Sequence, residues 1–324
     1  MEKDIELIKK LDKEWGKGPL KIKRAGGQTN RNWTVEFKGK KFFVRLPWER
    51  KDIVNRGFEG KNILAITRNR NLKGVVPRFF VYILNKKNIL NSAERFDFPD
   101  GTMVMEYIDG KDIDGNDLKN QKTQESLIRT LHSFHSSGVR FVNPYDVFRD
   151  EVEKYKRQAK EHNLEGLLTK EDVRQIETVE EIAKKKLSFG GKISTHNDLI
   201  FENLRLAKNG KVYLIDFEYA GCNMRDGLHY DLGIILGGNL FQKKPMSFRL
   251  FERILEKMGK IYGRNLNKET IYWGALVNVM VMLWWGIVKY HSLDSSKGKK
   301  YFKEYVLKRV RGIRKLKKIL TRNV

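Results

Sequence analysis

The stretch THNDLIFENL, residues 195–204, places a histidine, an aspartate and an asparagine at fixed offsets. A second stretch, LIDFEYAG at 214–221, puts an aspartate and a glutamate directly after an apolar run. Such polar positions are either the working parts of a phosphoryl-transfer site or ordinary loop residues. The choice between these two interpretations decides the fold that the rest of the chain is expected to adopt.

Phosphoryl transfer needs a held nucleotide, a metal that neutralises phosphate charge, and a carboxylate near the attacking hydroxyl. Asp198 could accept the hydroxyl proton or orient the hydroxyl. Asn203 offers a neutral carbonyl oxygen and Asp216 a charged one, and Mg²⁺ prefers hard oxygen ligands of these kinds. His196 is better suited to brace the loop backbone than to act as a base. The alternative is that Asp198 and Asn203 form turns and that Asp216 caps a strand.

A glycine pair lies near the N-terminus, in AGGQTNRNW at 25–33. Gly26 and Gly27 would let the backbone approach a phosphate, and Thr29 or Asn30 could donate a hydrogen bond to it. The pattern is not a G-x-G-x-x-G loop, and a plain hairpin turn fits it equally well.

An arginine, Arg45, stands inside the apolar strand FFVRLP at 42–47. A charge in such a strand needs a partner. Nucleotide phosphates and Glu59 on the following helix are the natural candidates, and the guanidinium fork suits both. An arginine on an exposed strand face is the alternative.

The rest of the chain predicts an α+β, protein-kinase-like fold of two lobes. The first hundred residues contain short β-rich runs and one charged helix at about 52–70. An Asp- and Gly-rich stretch, DGKDIDGND at 109–117, then separates them from mainly helical segments. We therefore expect a nucleotide-binding lobe at 1–108 and a catalytic and substrate-binding lobe at 109–324, with the ligands between them.

The charge of the chain, +25 from 65 Lys/Arg and 40 Asp/Glu, is concentrated near the C-terminus. This basic segment could meet nucleic acid or an anionic membrane, or it could be the solvated face of an amphipathic helix. No zinc-ligand spacing or RNA-binding signature accompanies it. The solvated face is favoured, so nucleic acid is not expected as a partner and only weak membrane contact stays open.

Targeting signals are weak in this sequence. The N-terminal residues lack the apolar core of a signal peptide, and Cys222 is the single cysteine, so no internal disulfide can form. The apolar stretch at 273–290 has the length of a membrane span, but Asn278 interrupts it, and a buried helix is the better interpretation. A cytoplasmic location is expected.

Six short segments together resemble the choline/ethanolamine kinase family, within the larger aminoglycoside-phosphotransferase-like group of small-molecule kinases. The resemblance extends over about residues 20–320, and its most specific part is HNDLIFEN with IDFEYAG. The segments, in chain order, are GGQTNRNWTV, FFVRLP, MVMEYIDG, LHSFHSS, HNDLIFENL and IDFEYAGCN.

The resemblance implies an ATP- and Mg²⁺-dependent kinase. Asp198 resembles the catalytic aspartate of the family, and Asn203 and Asp216 resemble its Mg²⁺ ligands. Protein kinases are a poorer match, because Glu218 and not glycine follows the Asp-Phe pair.

The resemblance also implies which residues contact the nucleotide. Arg45 and Glu59 resemble the pair that contacts phosphate. The segment around Glu106 and Ile108 resembles the adenine-binding hinge.

The substrate side departs from the family pattern. Asp231, in YDLG, lies about three residues further along the chain than the corresponding aspartate of the family. The stretch 223–233 is therefore expected to be a longer loop beside the site. The family's glutamate after that aspartate is missing, since 231–241 contains no further acid. Glu218 and Trp285 are the remaining substrate-side candidates, with Trp284 assigned to the core.

Choline or ethanolamine is the favoured substrate. Another hydroxyl compound, such as thiamine, a sugar or an aminoglycoside, is the first alternative. A non-catalytic basic binding protein on a kinase scaffold is the second, and the intact set of Asp198, Asn203 and Asp216 disfavours it.

Overall fold

A six-stranded antiparallel sheet forms the N-terminal lobe of the computed structural model, which describes residues 2–26, 30–47, 54–91 and 97–322. The strand order is β1-β2-β3-β6-β4-β5. The strands agree with the short β-rich runs of the sequence. Their bounds are β1 Lys21–Ala25, β2 Asn30–Phe37, β3 Lys40–Pro47, β4 Phe79–Leu84, β5 Lys87–Asn88 and β6 Met103–Glu106.

Within the described part of this lobe, two α-helices, not one, accompany the sheet. The predicted charged helix is α2 (Arg56–Arg68), whose N-terminus is capped by the side chain of Asn55. The second, α1 (Glu2–Lys10), was missed. Nine residues of mixed charge make a marginal helix alone, and α1 is held because Ile8 joins the apolar cluster of this lobe with Trp33 of β2.

The change of sheet marks where the two lobes meet. Strand β6 pairs within the N-terminal sheet, whereas the next strand, β7 (Gly110–Asp112), pairs with β10 (Leu204–Ala207) of the following lobe. On this ground we propose that the lobes divide between Ile108 and Asp109.

The second lobe is mainly helical, which confirms the predicted α+β, two-lobe architecture. A π-helical segment, Phe148–Glu153, leads directly into its second helix. The helices are α3 Gln121–His135, α4 Lys154–Lys160, α5 Lys170–Lys186, α6 Gly227–Asn239, α7 Phe248–Tyr262, α8 Lys268–His291 and α9 Ser296–Arg322.

Helix α8 is the central element of this lobe. It packs between α6 and α9, and glycines allow the close approach to α6: a β-carbon at Gly233 would lie 2.6 Å from the backbone nitrogen of Ala275. Helix α8 is long and apolar enough to cross a membrane, but 83% of its apolar window is buried inside the protein. The interpretation of 273–290 as a buried helix is confirmed.

Two small sheets complete the second lobe. Strand β11 (Val212–Leu214) pairs with β10, and β12 (Gly221–Arg225) pairs with both β8 (Pro144–Tyr145) and β9 (Phe189–Thr195). The expectation of a long loop at 223–233 was wrong. Its first residues belong to β12 and the rest to α6, because backbone pairing with distant strands leaves no local pattern in this polar sequence.

Candidate active site

Asp198 and Asn203 are joined in one hydrogen-bonded loop between β9 and β10. The Asn203 side-chain amide donates to the Asp198 carboxylate at 2.7 Å and to the Asp198 backbone carbonyl at 2.9 Å. A short 3-10 turn at Phe201–Asn203 makes this geometry possible. Because its NH₂ group is engaged with Asp198, Asn203 keeps its side-chain carbonyl oxygen available for a cation.

Asp231 braces this loop from α6. Its buried carboxylate accepts hydrogen bonds from the backbone N–H groups of His196 at 2.9 Å and Asn197 at 2.7 Å, and from His135 Nε2 at 3.0 Å. Asp231 therefore positions the loop, a role that the sequence offset had obscured.

His196 is itself a structural residue. Its Nε2 donates to the backbone carbonyl of Ile215 at 2.9 Å, which ties the loop to the strand end before Asp216. Burial lowers the pKa of its imidazole, so the ring is neutral at physiological pH. The expectation that His196 braces the loop is confirmed.

Asp216 follows β11 with a left-handed backbone conformation, φ 62°. Its side chain is 39% exposed, and its carboxylate lies 3.9 Å from Arg45 Nη1 of the N-terminal lobe. A non-glycine residue in this conformation is uncommon and is typical of a functional turn. Asp216 is thereby placed at the contact between the two lobes.

Four acids form what we call the acidic cleft: Glu151, Asp198, Asp216 and Glu218. Burial, followed by the charges of Asp216 and Glu151, raises the pKa of Asp198 well above its usual range. Burial and the charge of Asp216 raise the pKa of Glu218 to about 8. Close acids that disfavour each other's ionisation indicate a site that binds cations.

In the N-terminal lobe, Arg45 and Glu59 form the expected ion pair, with a 2.7 Å contact. Both side chains are buried, Arg45 at 3% exposure. Burial alone would lower the pKa of Arg45, but the charge of Glu59 and those of the other acidic groups around it together outweigh burial and hold the guanidinium charged. Glu59 also accepts from Arg56 and from the Tyr82 hydroxyl, each at 2.7 Å.

Arg56 is a residue that the sequence interpretation missed. It donates to the side-chain oxygen of Asn30 at 2.8 Å and lies 3.8 Å from the Glu218 carboxylate, so it joins both lobes. Its position three residues before Glu59 on α2 was the available signal.

The glycine-rich turn is described only in part. A β-carbon added at Gly26 would meet no other atom within 4 Å, while Gly27 and Thr29 lie outside the described residues. Asn30 begins β2, and its amide donates to Glu218 at 3.5 Å. Asn30 is therefore brought to the cleft, and the phosphate-binding role of this turn stays a prediction.

The two hinge candidates lie where the lobes join. The Glu106 carboxylate accepts from the backbone N–H of Arg78 at 3.1 Å, and the Ile108 carbonyl accepts from Arg205 at 3.3 Å. Glu106 is exposed and Ile108 is buried. Their contact with adenine stays a prediction.

The site also contains an acid that the sequence interpretation did not identify. Glu151, in the π-helical segment, is buried and accepts a hydrogen bond from the Tyr145 hydroxyl. Burial raises the pKa of Glu151 to about 7. Its charge raises the pKa of both Asp198 and Tyr155, so Glu151 lies close to the loop that carries Asp198.

Tyrosines surround this carboxylate. The Tyr155 hydroxyl lies 3.5 Å from that of Tyr219, and the rings of Tyr145 and Tyr230 are 6.3 Å apart. No lysine or arginine among the described residues forms an ion pair with Glu151. The surroundings of Glu151 are therefore rich in tyrosine, and its carboxylate has no ion-paired lysine or arginine among the described residues.

The tryptophan candidates lie elsewhere on α8. Trp284 is fully buried, as expected of a core residue. Trp285 packs against Phe302 and Tyr305 of α9, each at a ring-centroid distance of 5.7 Å. No contact among the described residues joins Trp285 to Asp198, so its role toward the substrate stays a prediction.

The oxygen donors fit a magnesium ion. Asn203 and Asp216 are the residues that would hold it, and Mg²⁺ is usually bound by one or two protein oxygens together with waters and phosphates. No group of three or more His, Cys, Asp or Glu residues suited to a metal occurs in the described part of the chain.

Comparison with known proteins identifies the family. Residues 24–237 match the family model described as choline/ethanolamine kinase. Protein LicA of Haemophilus influenzae is 24% identical over 295 residues, which cover 88% of this chain and 76% of that protein.

Solved structures share the fold. The choline kinase LicA from Streptococcus pneumoniae superposes with a TM-score of 0.68 at 19% identity, over 95% of this chain and 98% of that one. A structure of LicA in complex with AMP also gives 0.68, at 20% identity, over 96% of this chain and 98% of that one. Both the resemblance and the kinase-like fold predicted from the sequence are confirmed.

Proposed function

This chain belongs to the choline/ethanolamine kinase family and is a small-molecule kinase, and from that premise we propose that it uses ATP and Mg²⁺ to phosphorylate the hydroxyl of choline or ethanolamine. The observation that carries the choice of substrate is the buried Glu151 carboxylate in its ring of tyrosines beside Asp198. We also propose a cytoplasmic location, because the proposed reaction consumes ATP.

Asp198 has the catalytic role in this proposal. Its carboxylate is held toward the cleft by Asn203 and by the braced loop, so it can orient the substrate hydroxyl and take its proton. A raised pKa makes the ionised carboxylate a stronger base. When bound by Asn203 and Asp216, Mg²⁺ neutralises phosphate charge.

The nucleotide is held from the N-terminal lobe. Arg45 and Arg56 both donate to Glu59, and each also reaches toward an acid of the cleft. A guanidinium fixed in this way is oriented before the phosphates arrive, which lowers the cost of binding. The AMP bound to the related LicA supports nucleotide binding here.

Glu151 favours a cationic alcohol over a sugar. A carboxylate buried without a basic partner is costly, and a bound ammonium group would relieve that cost. Tyrosine rings add cation–π attraction for a quaternary or primary ammonium. A neutral sugar has no charge to offer Glu151 and is therefore disfavoured. Thiamine and aminoglycosides are cations, so the charge of Glu151 does not separate them from choline, and they remain the second choice until turnover is measured.

Turnover measurements test this function. ADP release is measured with Mg²⁺ against choline, ethanolamine, thiamine, glucose and kanamycin, for the wild type and Asp198→Asn. We expect turnover with an amino-alcohol and a loss of at least about 10³-fold in kcat for Asp198→Asn, with ATP binding retained. The matched control is Asp294→Asn, because Asp294 is an exposed acid outside the site. Turnover with glucose alone, or an unchanged kcat in Asp198→Asn, would refute the proposal.

A further inference from the structure

A groove on α9 lies outside the acidic cleft, and we propose that it binds a phosphorylated small organic molecule. We name it the basic groove. It has a volume of about 320 Å³ and is lined by Leu240, Phe241, Gln242, Lys308, Arg311 and Lys315.

The rim of the groove is cationic by helix geometry. Lys308, Arg311 and Lys315 have the spacing i, i+3 and i+7, which places them on one face of α9. All three are exposed, and no acid in the described ranges lies within ion-pair distance of any of them. By contrast, Arg314 on the same helix pairs with Asp172 at 2.6 Å. The three rim cations are thus available to an external anion.

The floor of the groove is apolar and closely built. Phe241 lies against α9 at Gly312, where an added β-carbon would come within 2.7 Å of the phenylalanine ring. The Arg309 guanidinium stacks on the same ring, 4.1 Å from its centroid. A glycine and a cation–π contact therefore hold the aromatic floor in place.

These two features select the ligand. The three rim cations have no acidic partner among the described residues, although Lys315 lies over the Phe248 ring, 4.9 Å from its centroid, and Arg311 donates to the Leu307 carbonyl. They attract phosphate, which takes several charge-assisted hydrogen bonds, while the ring of Phe241 accepts an apolar or aromatic group. A volume of about 320 Å³ is at the low end for small-molecule sites, and the groove is largely open to solvent. The ligand is therefore a phosphorylated small organic molecule.

The groove adjoins the catalytic loop. Gln242, on its wall, donates to the Glu202 carboxylate at 3.1 Å, and Glu202 lies between Asp198 and Asn203 in the chain. Occupancy of the groove is thus one hydrogen bond removed from the loop that carries Asp198.

Phenyl phosphate is a suitable probe because it combines the two chemical features. Its binding to the full chain is measured by calorimetry at low salt, with inorganic phosphate and phenol as reference ligands. The test variant is Lys308→Gln/Arg311→Gln/Lys315→Gln. The matched control is Lys299→Gln/Lys300→Gln/Lys303→Gln, which removes the same charge from exposed positions of α9 outside the groove.

We expect the groove variant to raise the Kd for phenyl phosphate by at least about tenfold and the control to change it by less than about twofold. Phosphate and phenol are expected to bind more weakly than phenyl phosphate. Equal losses in both variants would show diffuse electrostatics, and unchanged binding in the groove variant would place the probe elsewhere; either result overturns the proposal. Groove-dependent binding only to vesicles with 30% phosphatidylglycerol, or only to a single-stranded oligonucleotide, also overturns it.

Discussion

The acidic cleft and the basic groove carry charges of opposite sign, and they differ most in how far those charges are exposed to solvent. The acids of the cleft are largely withdrawn from solvent and raise one another's pKa. The cations of the groove are exposed on a helix whose other face is buried. Interactions between buried charges are strong and depend on geometry, whereas exposed charges are screened by water and salt. The net charge of +25 is therefore a poor guide to the chemistry of this chain.

The largest contrast is expected between two arginine–carboxylate pairs of similar length. Arg45 contacts Glu59 at 2.7 Å with 3% of its side chain exposed, and Arg314 contacts Asp172 at 2.6 Å with 59% exposed. We expect Arg45→Met to lower the free energy of unfolding by about 3 kcal/mol, because it removes a buried partner. Arg314→Met should cost less than about 1 kcal/mol. Urea denaturation of both variants measures this, and equal losses would remove the contrast between cleft and helix surface.

The next largest effect is expected for Asp231, which braces the loop that carries Asp198. Asp231→Asn replaces one acceptor oxygen by an NH₂ group that faces the backbone N–H donor of either His196 or Asn197. We expect the free energy of unfolding to fall by about 2 kcal/mol and kcat to fall by at least about tenfold, since a misplaced Asp198 reacts poorly. The control is Asp226→Asn, at the start of the same helix, where the acid is partly exposed. A normal kcat in Asp231→Asn would show that the brace is not needed for catalysis.

The Glu151 carboxylate of the enzyme is expected to contribute to substrate binding. Glu151→Gln keeps the shape of the side chain and its contact with Tyr145 but removes the charge. We expect KM for choline to rise by about tenfold, with a smaller change in kcat and none in KM for a neutral alcohol. Steady-state kinetics on both substrates separates these effects. An equal loss on charged and neutral alcohols would assign Glu151 to structure alone.

A pH dependence follows from the same residue. The pKa of Glu151 is raised to about 7 by burial, so the free enzyme carries the proton below that pH and the charge above it. A cationic alcohol binds the ionised form better, and KM for choline should therefore rise as the pH falls from 8 to 6. Lys154, Asp150 and the neighbouring tyrosines also face this group, so the wild type is compared with Glu151→Gln. A profile that persists in Glu151→Gln would exclude Glu151 as its source.

The smallest effect is expected at the rim of the groove. Arg311→Gln removes an exposed cation that has no acidic partner among the described residues, so unfolding free energy should change by less than about 0.5 kcal/mol. Thermal unfolding checks this value. A larger loss would mean that the rim cations serve the fold and are not free for a ligand.

Much of the site could be predicted because its parts are local in the chain. The five-residue offset between Asp198 and Asn203, and the strand that ends at Asp216, are visible in short windows. The Arg45–Glu59 pair could be predicted because a charge inside an apolar strand needs a partner nearby. Helix α1 and strand β12 were missed, since packing and pairing with distant segments stabilise them.

The sequence by itself determined the family, the two-lobe fold and the reaction class, because motif spacing and hydrophobic periodicity follow from local backbone geometry. Only the tertiary structure decided the surroundings of these motifs. It brought Glu151 from a π-helical segment to Asp198, gave Asp231 its role beneath the loop, and placed Phe241 beside the cations of α9. These residues are far apart in the chain, so their chemistry arises only when folding removes them from water and sets them against one another.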